Sequence, residues 1–256
     1  MDLQIKDQFF IVGGASSGLG RAVALRLLQE GAEVLGIARN ADALRSIEDL
    51  FTGRFSFVAE DVTSPGIFQE VINRVGGRPV HGALINAGGP PAKRVMETTA
   101  EDWDDAYRKI LKWKVLMAQT LVPMMQANNY GRLLFLESAA IKQPIENLVL
   151  SNSLRMAVWG FAKTLSLEIA ASGITVNVMA PGSHNTSAIE RLYKKKSEQT
   201  GLAEDVVRQD AIRNIPVQAL GEADDFAELG AWLLSPASRY VTGQLYLVDG
   251  GSSRGT

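Results

Sequence analysis

The sequence predicts an α/β domain built on a parallel, doubly wound sheet, and three observations predict it. Short apolar runs alternate with segments whose apolar residues recur at helical spacing, along nearly the whole chain. The first run, Phe9–Val12, leads through the glycine-rich turn Gly13–Gly20 directly into such a helical segment. No repeat, charge block or Pro/Ser-rich linker divides the chain, so residues 1–256 are expected to form one domain. Strand, helix, strand repetition with short connections demands right-handed crossovers, which place helices on both faces of a parallel sheet.

Each element follows from its residues. Ala22, Val23, Leu25, Leu27 and Leu28 carry the first helix among Arg21, Arg26, Gln29 and Glu30. Glu33–Ala38 reads as a second buried strand, Ala41–Leu50 as a helix and Phe55–Ala59 as a third strand. Thr63-Ser64 is expected to cap a helix running to about Val75. Val80–Asn86 is a fourth strand, entering the loop Ala87-Gly88-Gly89-Pro90-Pro91. His81, at its start, reads as structural. Asp102 to about Ala127 reads as one long amphipathic helix, with Arg108, Lys109, Lys112 and Lys114 on its solvated face. Gly131–Glu137 is a fifth strand ending at Ser138, Ser151 to about Ser172 a helix, and Ile174–Ala180 a sixth strand ending at Pro181-Gly182. The polar, helix-prone stretch at about 183–214, with Lys194-Lys195-Lys196 exposed, lies beyond a strand's carboxyl end. A lid over a ligand is expected there. Asp224–Leu234 reads as a last helix and Gln244–Val248 as a last strand, giving seven strands.

Composition excludes several classes. With 46% hydrophobic residues the chain can bury a large core, and its net charge of −2 provides no drive towards nucleic acid or an anionic membrane. It has no cysteine and only two histidines, His81 and His184, so disulfides, thiol nucleophiles and Cys- or His-rich metal sites are excluded. No metal is expected. No apolar segment approaches the ~18 residues of a membrane span. Met1–Asp7 lacks a leader's apolar core, so a soluble, cytoplasmic protein is expected.

The glycine turn has the spacing Gly14-x-x-x-Gly18-x-Gly20, and strand, glycine turn, helix is the geometry that sets a phosphate at a helix N-terminus. The same glycines also suit a plain βα turn. About 20 residues beyond such a turn an NAD site carries an acid for the ribose hydroxyl. Here stand Ala38-Arg39-Asn40: the acid is missing and a guanidinium suited to a 2′-phosphate is present, which favours NADP(H) over NAD(H). The competing reading makes Arg39 a solvated loop residue.

In order along the chain stand Gly14-x-x-x-Gly18-x-Gly20, Asp61-Val62, Asn86-Ala87-Gly88, Ser138, Asn177-x-x-x-Pro181-Gly182, Thr186, Tyr240-Val241-Thr242-Gly243-Gln244 and Val248-Asp249-Gly250-Gly251. With these pieces the chain resembles the short-chain dehydrogenase/reductase family from about Leu3 to Gly251, most of all its 3-oxoacyl-acyl-carrier-protein reductases. More narrowly, Ile141–Ile145 with Leu150-Ser151-Asn152 resembles reductase-like members lacking the usual active-site set. The resemblance implies a Rossmann-type, doubly wound, seven-stranded parallel sheet with helices on both faces. It implies that Gly14, Ser16, Ser17, Gly18, Leu19 and Gly20 hold pyrophosphate and ribose, with Arg39 and Asn40 at the adenosine end. It places Asp61 and Val62 on the adenine, Asn86, Ala87 and Gly88 at the nicotinamide ribose, and Pro181, Gly182 and Thr186 at the nicotinamide. It also implies a homo-oligomer, a dimer or tetramer, through the two long helices. There Trp103, Tyr107, Trp113 and Trp159 face either partners or the core.

The family's catalytic Asn, Ser, Tyr and Lys are only partly matched. Thirteen residues beyond Ser138 stands Ser151 in place of tyrosine, four further Arg155 in place of lysine, and seven past Trp103 Ile110 in place of asparagine. Hydride delivery to a carbonyl leaves an alkoxide that needs a proton, which a phenol of pKa ~10 beside a cation can supply. A serine hydroxyl is a far weaker acid, and an arginine does not release a proton. Arg155 can still hydrogen-bond a ribose and share a helix face with Ser151. Lys142, if desolvated, His184, beside Pro181-Gly182, and Tyr193, in the lid, are the candidate replacements as acid. The expected function is an NADP(H)-dependent oxidoreductase interconverting a small-molecule carbonyl and alcohol. The alternative is a non-catalytic NADP(H)-binding sensor or assembly protein.

Overall fold

The computed structural model describes residues 2–255. Seven strands form one sheet: β1 (Phe9–Gly13), β2 (Glu33–Ile37), β3 (Phe55–Val58), β4 (Gly82–Ile85), β5 (Gly131–Leu136), β6 (Ile174–Pro181) and β7 (Leu245–Val248). Their order is β3-β2-β1-β4-β5-β6-β7 and every pairing is parallel. The Rossmann-type, doubly wound sheet is therefore as expected. The chain's direction of travel reverses between β1 and β4, and in such sheets the crevice at that switch point is where ligands bind.

Two cores sandwich the sheet because side chains alternate along each strand. From β1, Phe9 and Ile11 enter one core with Trp113, Leu121 and Val158. Phe10 and Val12 enter the other with Leu27, Leu44 and Phe226. The second core is closed by α1 (Gly18–Gln29), α2 (Ala41–Leu50) and α9 (Ala223–Leu233).

The first core is closed by α3 (Ile67–Val75), α5 (Trp113–Gln126) and α6 (Val149–Ile169), and α4 (Ala100–Ala106) precedes α5. Three details differ from expectation. Thr63-Ser64 does not cap α3: Thr63 donates from both its backbone N–H and its hydroxyl to Asp61 Oδ1, and the helix starts only after Pro65-Gly66. The long helix starts earlier, on a reciprocal cap between Thr99 and Asp102, and widens to π-helical turns over Tyr107–Lys112 between α4 and α5. Lys114 is not on the solvated face with Arg108, Lys109 and Lys112; it is buried.

Of the four aromatics expected on the long helices, Tyr107 is exposed. Trp113 is core, its Nε1 donating to Lys109 O at 2.8 Å. The stretch after β6 folds into two helices, α7 (Ser187–Thr200) and α8 (Glu204–Arg213), packed on each other. Among the described residues no helix is long and apolar enough to cross a membrane.

Candidate functional site

A cavity of about 750 Å³ opens at the carboxyl ends of the strands, over the β1/β4 switch point. Its floor is the turn between β1 and α1. Gly14 (φ +69°) and Gly18 (φ +55°) hold left-handed conformations that suit glycine. A methyl group on Gly14 would stand 2.5 Å from Asn86 Nδ2, and one on Gly20 2.5 Å from Gly14 O. Asn86 braces the turn in return, donating from Nδ2 to Gly13 O at 3.2 Å. Ser17, the N-cap of α1, makes no side-chain capping bond, and the first turn of α1 carries no acid. The first N–H groups of that helix are thus left for an anion.

The sequence-predicted residues divide sharply here. Gly14, Ser16, Ser17, Gly18, Leu19, Gly20, Arg39, Asn40, Asp61, Val62, Asn86, Ala87, Gly88 and Thr186 all line this one cavity. Asn40 does so with its side chain already engaged, accepting from Ala43 N–H as the cap of α2. Arg39 extends into solvent with its Nη1 3.8 Å from Asp61 Oδ2. The Thr63 hydrogen bonds, and secondarily Arg39, hold the Asp61 carboxyl below its ordinary pKa. Two cations that sequence reasoning passed over also reach the cavity: Lys109, from the π-helical turns, and Arg191, from α7. No spacing rule marks them, because each is brought in by a helix remote in sequence.

Pro181 and Gly182 do not line the cavity. They continue β6, where Gly182 N–H donates to Val248 O at 2.9 Å and a methyl group would stand 2.7 Å from Asp249 Cβ. His184 is not placed as a proton donor. Its ring is buried, stacked edge-on against Phe226 at 5.4 Å and packed on Gly221, with Nδ1 3.2 Å from Gly182 O. That wedge fixes the root of the α7–α8 hairpin. Lys142 stands exposed after the single tight turn Ala139–Ile141, without the desolvation its proposed role required. Tyr193 has its hydroxyl buried between α7 and its surroundings without a hydrogen-bond partner among the described residues. Burial pushes that phenol's pKa up.

Ser138, Ser151 and Arg155 do not line the cavity, and of the three Arg155 approaches its wall, at Gly89. Ser138, at the end of β5, accepts from Ala140 N–H at 3.2 Å. Ser151 and Arg155 share one face of α6, and Arg155 Nε donates to Ser151 Oγ at 3.0 Å. Each hydroxyl oxygen is therefore engaged by a fixed donor, which leaves its O–H to be donated elsewhere. Arg155 Nη1 donates to Glu137 Oε2 at 2.9 Å, and the buried Lys114 donates to Glu137 Oε1. Arg155 Nη2 lies beside Gly89 on the cavity wall, 3.3 Å from where a side chain there would begin. Ile110, in the asparagine's place, is buried in the first core. Lys114 and Glu137 were not legible as site residues: one sits in a run of four cations, the other reads as the end of a strand.

The comparisons agree with this geometry. The family model described as enoyl-(acyl carrier protein) reductase matches residues 14–253. The chain is 27% identical over 251 residues to the 3-oxoacyl-[acyl-carrier-protein] reductase FabG of Escherichia coli, covering 97% of this chain and 98% of that one. It is 25% identical over 254 residues to the NADPH-dependent reductase BacG of Bacillus subtilis, covering 95% and 96%. It superposes on L-sorbose reductase from Gluconobacter frateurii, solved with NADPH and L-sorbose, with a TM-score of 0.94, 28% identity and full coverage of both chains. With a parallel sheet of this order, a glycine-floored cavity at its switch point and a family match across nearly the whole chain, the protein belongs to the short-chain dehydrogenase/reductase family of oxidoreductases.

Proposed function

We propose that this protein is an NADPH-dependent reductase of a small-molecule carbonyl compound, with a proton supply different from its family's usual tyrosine. One observation carries the reading: a single cavity joins a floor where Gly14 and Gly20 leave no room for a Cβ to the cation Arg39 at its rim, and reaches Gly89, against which Arg155, bonded to Ser151, packs. The residues fit a phosphorylated dinucleotide. The glycine floor and free α1 N–H groups suit pyrophosphate, and Arg39 with no acid at the end of β2 suits a 2′-phosphate. The dinucleotide, when bound, supplies hydride.

The protein's own part is to bind, orient and stabilise charge. Asn86, Ala87 and Gly88 position the ribose at the inner end, and Thr186, which also lines the cavity, frames the nicotinamide side. Ser138 and Ser151 donate hydrogen bonds to the substrate oxygen as it gains charge, and Arg155 supplies fixed positive potential beside them. Solvent then provides the proton, since Arg155 cannot. The relatives support this reading: those named above include a 3-oxoacyl thioester reductase, an NADPH-dependent reductase and a sugar reductase holding NADPH. A homo-oligomer assembled over α5 and α6 fits the exposed Tyr107, Met156 and Leu167. One domain with α7–α8 as its lid, in the cytoplasm, completes the proposal.

The test is to titrate the purified protein with NADPH and NADH, then assay ketones, 3-oxoacyl thioesters and alcohols by cofactor absorbance. NADPH-selective binding with turnover is the expected result. NADPH binding without turnover of any substrate would reassign the chain to a non-catalytic dinucleotide-binding role, and no binding at all would refute both.

A further inference from the structure

Three charged side chains meet where α5, the end of β5 and α6 converge. Lys114 of α5 is 2% exposed and the Glu137 side chain is fully buried. Glu137 uses its two oxygens on two cations, Oε1 on Lys114 Nζ and Oε2 on Arg155 Nη1 at 2.9 Å. Lys114 also points Nζ at Leu136 O, at 3.5 Å. Burying one such cation alone would be costly, and a single carboxylate offsets only one of the two. The unit therefore carries one surplus positive charge. It touches the cavity wall twice, because Leu136 and Gly89 both line that wall. Those contacts are at the end opposite the Arg39–Asp61 rim, which is the end left for the nicotinamide once the adenosine side takes the rim.

We propose that Lys114 and Glu137 are positioning residues: with Arg155 they form a buried cation–anion–cation unit whose surplus charge makes the inner end of the cavity favour the uncharged, reduced nicotinamide over the cationic, oxidised one. The inference rests on the dinucleotide-reductase reading and adds a direction to it. Glu137 fixes the guanidinium so that Nε meets Ser151 and Nη2 meets the Gly89 edge. Lys114 restores the charge that Glu137 cancels. In a buried site such a charge is screened little, so it discriminates between two ligands that differ by one unit at the nicotinamide. The same surplus favours a substrate oxygen that is becoming an anion. The groups facing Lys114 are Glu137 from β5 and Arg155 from α6, and burial together with Arg155 outweighs Glu137 in holding its pKa below the ordinary lysine value.

The experiment measures NADPH binding by nicotinamide fluorescence and NADP⁺ binding by competition, on the full chain. The wild type should bind NADPH more tightly than NADP⁺, and Lys114→Met should shrink that ratio by about 5-fold or more. Lys112→Met, an exposed lysine two residues away, should leave the ratio unchanged. The wild-type ratio should also fall several-fold as the pH is raised and Lys114 loses its proton, a readout that survives if Lys114→Met does not fold. A ratio unchanged in folded Lys114→Met, or flat with pH in the wild type, overturns the inference while leaving the dinucleotide reading intact. Failure of the wild type to bind either form would overturn both.

Discussion

At the outer end of the cavity the binding groups are backbone and rim: a glycine turn, the first N–H groups of α1, and an arginine standing in solvent. At the inner end they are buried side chains that hold one another, Lys114 and Arg155 on Glu137 and Arg155 on Ser151. The outer end is specified within two short stretches of chain and depends on what is missing, a Cβ at Gly14 and an acid at the end of β2. The inner end is specified by three elements remote in sequence and depends on charges that are meaningful only together. A change at the outer end should therefore weaken binding of the dinucleotide without touching chemistry, whereas a change at the inner end should act on chemistry and on the choice between reduced and oxidised nicotinamide.

The largest effect is expected at the floor. Gly14→Val forces a β-branched residue into φ +69° with its Cβ 2.5 Å from Asn86 Nδ2. Such strain costs on the order of 1–3 kcal/mol before any contact is counted. NADPH affinity should drop more than about 100-fold, measured by fluorescence titration. Next comes the inner end. Ser138→Ala removes one donor to the substrate oxygen and should lower kcat by about 100-fold, the usual effect of losing an oxyanion donor, with KM for NADPH unchanged. If kcat and the cofactor KM change together in Ser138→Ala, the division between the two ends is wrong. Third is the rim: Arg39→Ala should weaken NADPH about 10-fold and leave NADH untouched, since a hydrogen bond to a charged group is worth about 1.5–3 kcal/mol and Arg39 is well exposed. Equal losses for both dinucleotides would remove the 2′-phosphate assignment.

The same division decides how much was legible in the sequence. The doubly wound parallel sheet, its seven strands and the cavity-lining set from Gly14 to Thr186 follow from periodicity, glycine spacing and the family's ordered motifs. Each of these is a local property of the chain. His184 and Lys142 were misplaced because proximity in sequence to Pro181-Gly182 or Ser138 says nothing about which way a side chain faces. The His184 ring turns into Phe226 and Gly221, and Lys142 turns out to solvent. Lys114 was misplaced for a related reason. Charge patterning assigns a run of cations to the solvated face, yet the widened turns at Tyr107–Lys112 precede it and a buried carboxylate awaits it on β5. Ser151 with Arg155 was foreseeable as a pair, because residues four apart share a helix face. The carboxylate that ties them to Lys114 was not.

The smallest expected effect separates the two ends by pH. Asp61 has its pKa lowered in the fold, first by the Thr63 hydroxyl, then by Thr63 N–H, with Arg39 a lesser cause. The carboxylate's contribution to stability is therefore complete above its unfolded value near pH 4 and is lost as pH falls below that. Lys114 also has its pKa lowered, but it is a base, so the unfolded chain binds the extra proton. Its term penalises the fold at neutral pH and is relieved as pH rises towards the ordinary lysine value of about 10.5. Melting curves across the pH range should show the acid limb softened in Asp61→Asn and the alkaline relief missing in Lys114→Met, with neither variant altering the other's limb. Because Asp61 is substantially exposed, solvent screens its term and the acid-limb change should be the fainter of the two. If Asp61→Asn instead changed the alkaline limb, the two ends would be coupled through the cavity. The surplus charge assigned to Lys114, Glu137 and Arg155 would then have to be shared with the rim.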